Sequence, residues 1–404
     1  MAREASSLGD APAADPAGGD GRPAEGSQRG RLAVVGMSLS ATCGVRDHAT
    51  LLADALAGEG VESTFHWLTR GERSLRGSRA EIGSWIETLE SEIAASRPET
   101  VLLHYSVFTA SHKGVPLFVP QLLAALRRTR IPIVTMLHEF AYPWGYGGWR
   151  GLLWALSQRP ALLDVMWSSS AAIVTAGSRA EWLCSRPWLP KRPVRVAPVF
   201  STIPAPTGAA ARSGEEPLVG LFGYGHQGTA SSVLIDALAE LRQRGLPVQL
   251  LLLGGGGAES AAGVRWIGTA RERRLQDMLQ FTGMLPAQAL SDALAACDVL
   301  LFADAGGPSA RKTTLAGSLA SGRPVVAIDG PYTWAELGRQ DAILLVAPVA
   351  GAVADAIAGL LADGEASESL GARGRRFSER EMGVAITARA TIESIEEALS
   401  PRRG

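Results

Sequence analysis

Residues 298–328 read DVLLFADAGGPSARKTTLAGSLASGRPVVAI, and the rest of the chain repeats the pattern this stretch contains. Two apolar runs, Val299 to Phe302 and Pro324 to Ile328, have the length and Val/Leu content of buried strands. Ser309 to Ala320 between them has the length of one helix, which makes the stretch a β-α-β unit. The turn after the first strand places Ser309 as N-cap, with Arg311, Lys312, Thr313 and Thr314 in the first helical turn. Unpaired N–H groups, a positive helix end, two cations and two hydroxyls then converge on one spot, as a phosphate requires. A solvated pair of cations at a helix start is the plain alternative, and spacing leaves both open.

A chain of 404 residues exceeds one ordinary core and favours two domains. A composition that is 46% hydrophobic and 20% charged belongs to a globular chain, and a formal net charge of -1 gives no electrostatic reason for a nucleic-acid partner. Cys43, Cys184 and Cys297 are odd in number and lack metal-ligand spacing, so no metal cluster is expected and buried thiols in a reducing cytoplasm are the default. No apolar run reaches the about 18–20 residues of a membrane-spanning helix. Residues 1–30, rich in Ala, Gly, Pro and Asp, read as a disordered tail.

Ordered structure is expected from Arg31. Leu32 to Met37 is a strand run, followed by a small-residue turn and a helix from Val45 to Ala57, the first β-α unit of a Rossmann-like half. Gly44 and Val45 at that helix start suit close approach of a ligand, with a tight turn as the alternative. Strands at 61–67, 100–104 and 131–137 alternate with helices at 79–95 and 117–128, which argues for a parallel sheet. After the strand ending at Leu137 comes His138-Glu139-Phe140-Ala141-Tyr142-Pro143-Trp144, at the carboxyl end of a strand where ligands of open α/β sheets bind. His138 is the first candidate there. Tyr142 and Trp144 either stack on a sugar or fold back on their own domain. Residues 149–167 form a basic, aromatic-bearing amphipathic helix, for which core packing is the default and a membrane surface the alternative.

The pattern predicts an N-terminal Rossmann-like domain over 31–203, a Pro/Gly-rich linker over 204–217, a second such domain over 218–378, and a final helix over 379–404 returning to the first domain. Within the second domain, a strand is expected near 264–267 and a helix over 271–280.

The chain resembles the GT-B glycosyltransferases, in particular the family 4 group of retaining enzymes that use nucleotide-sugar donors. The likeness covers nearly everything after Arg31. It rests on Cys43-Gly44-Val45, the strand ending in His138-Glu139, Phe281-Thr282-Gly283-Met284-Leu285-Pro286, and the run from Ala316 to Val326. It implies two Rossmann-like domains facing across a cleft, the first holding the acceptor and the second the donor. By the same resemblance His138 orients the sugar or acceptor, with Glu139 holding it. Its pKa near neutrality also suits a general base. Gly223, Tyr224, Gly225, His226 and Gly283 then join Ser309 to Thr314 on the donor side, and Gly44, Val45, Tyr142 and Trp144 face the acceptor.

Two departures stand out. The two glutamates of the family motif fall at Ser309 and Gly317, and the Arg and Lys that the family places after the first strand of the second domain are replaced by Gly223 to Thr229. Arg311 and Lys312 are expected to supply that charge instead. The implied function is retaining transfer of a hexosyl-type sugar from a nucleotide-diphosphate donor to an acceptor hydroxyl, with no cofactor and no metal, in the cytoplasm or at the inner membrane face. A catalytically silent binding or partner subunit is the competing reading, and an epimerase of the same fold would need cleft carboxylates that the sequence does not offer.

Overall fold

The computed structural model describes residues 30–40, 43–145, 147–208, 216–225 and 229–400. The first domain contains β1 (Gly30–Ser38), α1 (Gly44–Gly58), β2 (Val61–Thr69), α2 (Leu75–Ser96), β3 (Thr100–Ser106), α3 (Val119–Arg128), β4 (Ile133–Glu139), α4 (Gly148–Ser168), β5 (Ala171–Val174), α5 (Gly177–Cys184) and β6 (Val194–Val196). Its sheet is parallel throughout, in the order β2-β1-β3-β4-β5-β6. All seven residues of β3 are buried, as expected of a strand covered by helices on both faces.

The second domain contains β7 (Leu218–Phe222), α6 (Ser231–Gln243), β8 (Gln249–Leu253), α7 (Ala261–Glu272), β9 (Leu279–Gly283), α8 (Ala287–Ala296), β10 (Val299–Phe302), α9 (Thr313–Ala320), β11 (Val325–Ile328), α10 (Ala335–Arg339), β12 (Leu344–Val346) and α11 (Ala350–Ala362). Its order, β12-β11-β10-β7-β8-β9, is the doubly wound arrangement, with the reversal of direction between β7 and β10. The sheet directions and the two-domain α/β architecture agree with the expected class.

Local expectations fail in three places. Val264 to Ile267 is helical, because Ser260 caps α7 by accepting a hydrogen bond from the Gly263 N–H at 3.0 Å, and the following strand is displaced to β9. Helix α9 begins at Thr313, with Lys312 as its N-cap residue, four residues later than Ser309. The Ala310 carbonyl accepts the N–H of Val199, at the end of the first domain, at 2.8 Å, so it is committed to a contact between the domains and not to a helical turn. The chain end forms two helices, α12 (Gly364–Glu381) and α13 (Val384–Leu399), broken at Gly383.

Helix α13 packs on the first domain, where Ala388 and Ala390 join Leu32, Leu52, Leu56 and Phe200 in one core cluster. Arg195 of β6 pairs with Glu393 and Glu397 on its outer side. Among the described residues no helix is long and apolar enough to cross a membrane.

Candidate functional site between the domains

Open parallel sheets bind ligands outside the carboxyl ends of their strands, at the point where strand order reverses. In the second domain that point lies between the loops after β7 and β10. The two loops are tied together, since Thr229 bridges Asp304 and the Ala230 N–H donates to the Ala303 carbonyl at 2.9 Å. Gly223 has φ of +79°, and a Cβ there would lie 2.5 Å from Thr314, so only glycine lets this turn rest against the first turn of α9. Thr313 and Thr314 occupy that turn, where every helix leaves N–H groups unpaired.

Lys312 and Arg311 precede the helix and are both held by carboxylates. Lys312 Nζ is 2.5 Å from Asp304 Oδ2, and Arg311 Nη2 donates to Glu139 Oε1 at 2.8 Å across the domain boundary. Glu139 ends β4, one residue beyond His138, and its other oxygen accepts from Arg179 of α5 at 3.0 Å. Arg179 also donates to the His138 backbone carbonyl. One carboxylate therefore joins a cation from each domain, and Arg311 faces the wall that carries His138.

On that wall, His138 is positioned by histidine and not by Glu139. His104 Nδ1 lies 3.0 Å from His138 Nε2, with the rings stacked at a centroid separation of 5.3 Å. His48 of α1 stands edge-on to His138 and stacks on Phe200 at 4.3 Å. Burial first, and the neighbouring Arg179 charge second, depress the pKa of His138 to about 4. His48 and His104 are also pushed well below their ordinary value, chiefly by burial. At neutral pH His138 is consequently a neutral hydrogen-bonding ring, a correction to the expectation of a base with a pKa near 7.

Several expected residues have other roles. Tyr224 is a core residue, 1% exposed, whose hydroxyl accepts the Gly257 N–H at 2.9 Å. Tyr142 packs edge-on against Trp154 of α4, and Trp144 lies beneath the Arg159 guanidinium while remaining 50% exposed. Ser309 is buried in the loop and caps nothing. Gly44 is exposed at the start of α1, and a Cβ there would meet open space, as would one at Gly225 or Gly283. His226 lies outside the described residues. A separate crevice of about 340 Å³, lined by Ile203, Pro204, Arg375, Glu379 and Met382 among others, sits at the linker crossing and includes neither wall of the site.

The structure also explains one departure from the family motif. A Cβ on Gly317 would lie 3.1 Å from Phe222 and 3.2 Å from Ile203, so any side chain there must displace these apolar neighbours by a few tenths of an ångström. Sequence reasoning missed Arg179 and the union of His48, His104 and His138. The histidines are far apart in the chain, and only the parallel order of β1, β3 and β4 gathers them. The available signal was that His104 and His138 lie near the carboxyl ends of β3 and β4 and His48 in the helix that follows β1.

Residues 216–363 match the family described as Glycosyl transferases group 1. No curated protein sequence matches the chain. Among solved structures, a glycosyltransferase from Rickettsia africae is similar over 93% of this chain and 99% of its own, with TM-score 0.68 and 13% identity. HepE from Anabaena in complex with UDP-glucose is similar over 90% and 98%, with TM-score 0.62 and 15% identity. UDP-GlcNAc 2-epimerase from Neisseria meningitidis is similar over 91% and 99%, with TM-score 0.57 and 10% identity. The chain thus has the GT-B fold, and its second domain carries the match to the glycosyl transferases group 1 family.

Proposed function

We propose that this protein is a glycosyltransferase of the retaining, family 4 type, moving a sugar from a nucleotide-diphosphate donor to an acceptor hydroxyl. The observation that carries the reading is the Arg311–Glu139 pair, which sets the anion-competent start of α9 opposite His138. A donor diphosphate seated on the N–H groups of Thr313 and Thr314 replaces Glu139 and Asp304 as the counter-charge of Arg311 and Lys312. The UDP-glucose complex of a neighbour with the same fold supports this class of donor. The bond from the anomeric carbon to the diphosphate oxygen breaks, the acceptor oxygen takes that carbon on the same face, and the acceptor proton passes to the leaving diphosphate. Preorganised cations stabilise the charge that develops on the leaving group. Neutral His138, held by His104, orients a hydroxyl in this scheme and is not required to store a proton.

Arg311→Ala tests the reading. With a donor chosen by nucleotide-dependent thermal stabilisation, kcat/KM is expected to fall on the order of 100-fold, the loss typical of one transition-state donor. Unchanged kinetics would remove Arg311 from the site. Glycine at 317 in place of the family's glutamate favours one competing reading, a silent binding subunit, because no carboxylate holds ribose there. Absence of stabilisation by every nucleoside diphosphate tried would favour that reading.

The same proposal includes a place of action at the inner face of a membrane, with α4 as the contact. Trp149, Leu152, Leu153 and Leu156 follow helical spacing on α4 and are 75%, 52%, 44% and 55% exposed, so packing against the domain core does not account for them. Leu153→Ser combined with Trp149→Ser is expected to abolish co-sedimentation with anionic vesicles. Equal sedimentation of variant and wild type would end this part of the proposal.

A further inference from the structure

His48, His104 and His138 each present a nitrogen to a common point, and these atoms lie within 4.8 Å of one another. His48 and His104 are each 2% exposed. Both ring nitrogens of His48 and Nε2 of His104 are buried with no hydrogen-bond partner among the described residues. The single hydrogen bond from His104 to His138 cannot serve three imidazoles. A neutral imidazole carries one N–H and one lone pair, and leaving such a group buried without a partner costs about 1–3 kcal/mol. The cluster therefore lacks something that accepts lone pairs or offers hydrogen bonds inside the protein.

We propose that the three histidines form a binding site for a late first-row divalent metal ion, of the zinc or cobalt kind. The donor set selects this class. Imidazole nitrogen suits zinc, copper, nickel and iron, whereas magnesium and calcium require oxygen ligands, and none of the three residues offers a carboxylate. The geometry is near what such an ion demands. Zinc bound at about 2.0–2.1 Å from each nitrogen in a tetrahedron sets the nitrogens about 3.3 Å apart. His104 Nδ1 and His138 Nε2 are already 3.0 Å apart, and the candidate ligand atoms of all three rings lie within 4.8 Å of one another. The nearest fixed cation, Arg179, is paired with Glu139 and so does not oppose an ion outright. Three protein ligands leave a fourth position for water or a substrate hydroxyl, as in catalytic zinc sites. The site shares His138 with the transferase reading but uses no residue of the α9 anion seat, and the titration below needs no transferase activity.

Titration of the full chain, stripped by chelator, with Co²⁺ and then Zn²⁺ decides the matter without any activity assay. The expected result is about one Co²⁺ per chain with the intense visible absorption of a tetrahedral centre, displaced by Zn²⁺. His48→Ala and His104→Ala are expected to weaken binding at least about 100-fold, a loss that outer partners of a ligand alone can cause. His112→Ala, outside the cluster, should bind as the wild type does. Circular dichroism of each variant separates lost ligation from lost folding, and His48→Gln, which keeps a polar group of similar length, supplies a second test if alanine unfolds the chain. Substoichiometric binding by the wild type, or full retention of the cobalt spectrum in folded His48 and His104 variants, would overturn the proposal and leave water as the partner of these nitrogens.

Discussion

The two walls of the cleft are built in opposite ways. The first-domain wall is built on neutral rings: His48 and His104 are buried and His138 is half-buried, and the three sit in the parallel sheet and on α1, packed on each other and on Phe200. The second-domain wall is charged and partly open: Arg311 and Lys312 are 37% and 25% exposed and each is matched by a carboxylate. Burial fixes the first wall permanently, since moving a ring would open the core. The second is fixed only by charge pairs, which an anion can exchange at little cost because the cations keep a partner throughout. A rigid positioning wall facing an exchangeable charge wall fits a site that must hold a sugar still while a diphosphate comes and goes.

The largest expected effect comes from forcing the charged wall to resemble the family motif. Gly317→Glu would press its Cβ against Phe222 and Ile203 and introduce a carboxylate beside these apolar side chains. Burying an unpaired charge costs several kcal/mol, of the order of 3–5 when a partner is missing, and the second domain should unfold at least about 5 °C earlier in a thermal scan. Adding Phe222→Ala should recover part of the loss by making room. A Gly317→Glu protein as stable as the wild type would show that the apolar filling of this wall is not what excludes the glutamate.

Next in size is the pH response of the buried wall. His138 has a folded pKa near 4, and His48 and His104 are shifted in the same direction, against about 6.5 in an unfolded chain. A depressed folded pKa means that the unfolded chain binds the extra protons as pH falls. The stabilisation is therefore complete above about pH 6.5 and is lost progressively towards pH 4. Metal-stripped protein should show a melting temperature that drops by several degrees between pH 6.5 and 5, a window in which ordinary carboxylates stay ionised. His48→Phe, which keeps the stacking on Phe200, should flatten that slope. An identical slope would mean that His48 is not titrating on unfolding.

What could be read from the sequence divides along the same line. The strands are apolar runs with few alternatives, so β1, β3, β7, β10 and β11 were visible, and with them the parallel two-domain architecture. Arg311 and Lys312 were visible because charge beside a glycine-rich turn is a local pattern. The start of α9 was not, because a tertiary bond from Val199 to the Ala310 carbonyl sets it. Tyr224 read as a loop ligand residue because nothing local reveals that its hydroxyl caps the Gly257 turn from inside the core. The histidine cluster was invisible for the reason that makes it rigid: strand order, not spacing, assembles it.

The smallest expected effect isolates the contact between the walls. Glu139→Gln removes the carboxylate that joins Arg179 to Arg311, while keeping the shape and one hydrogen-bond acceptor. Because Glu139 and Arg311 are 41% and 37% exposed, the pair contributes at most about 1 kcal/mol, and the melting temperature should shift by no more than about 2–4 °C. Ligand binding should respond in the opposite direction. If the donor diphosphate binds as proposed, it takes Arg311 from a carboxylate in the wild type and from a neutral amide in the variant, so affinity for a nucleoside diphosphate should rise by a few-fold at low salt. The gain should shrink as salt screens the pair. If Glu139→Gln instead weakened nucleotide binding, Glu139 would be a support that orients Arg311 towards the anion, and the charged wall would be as fixed as the buried one.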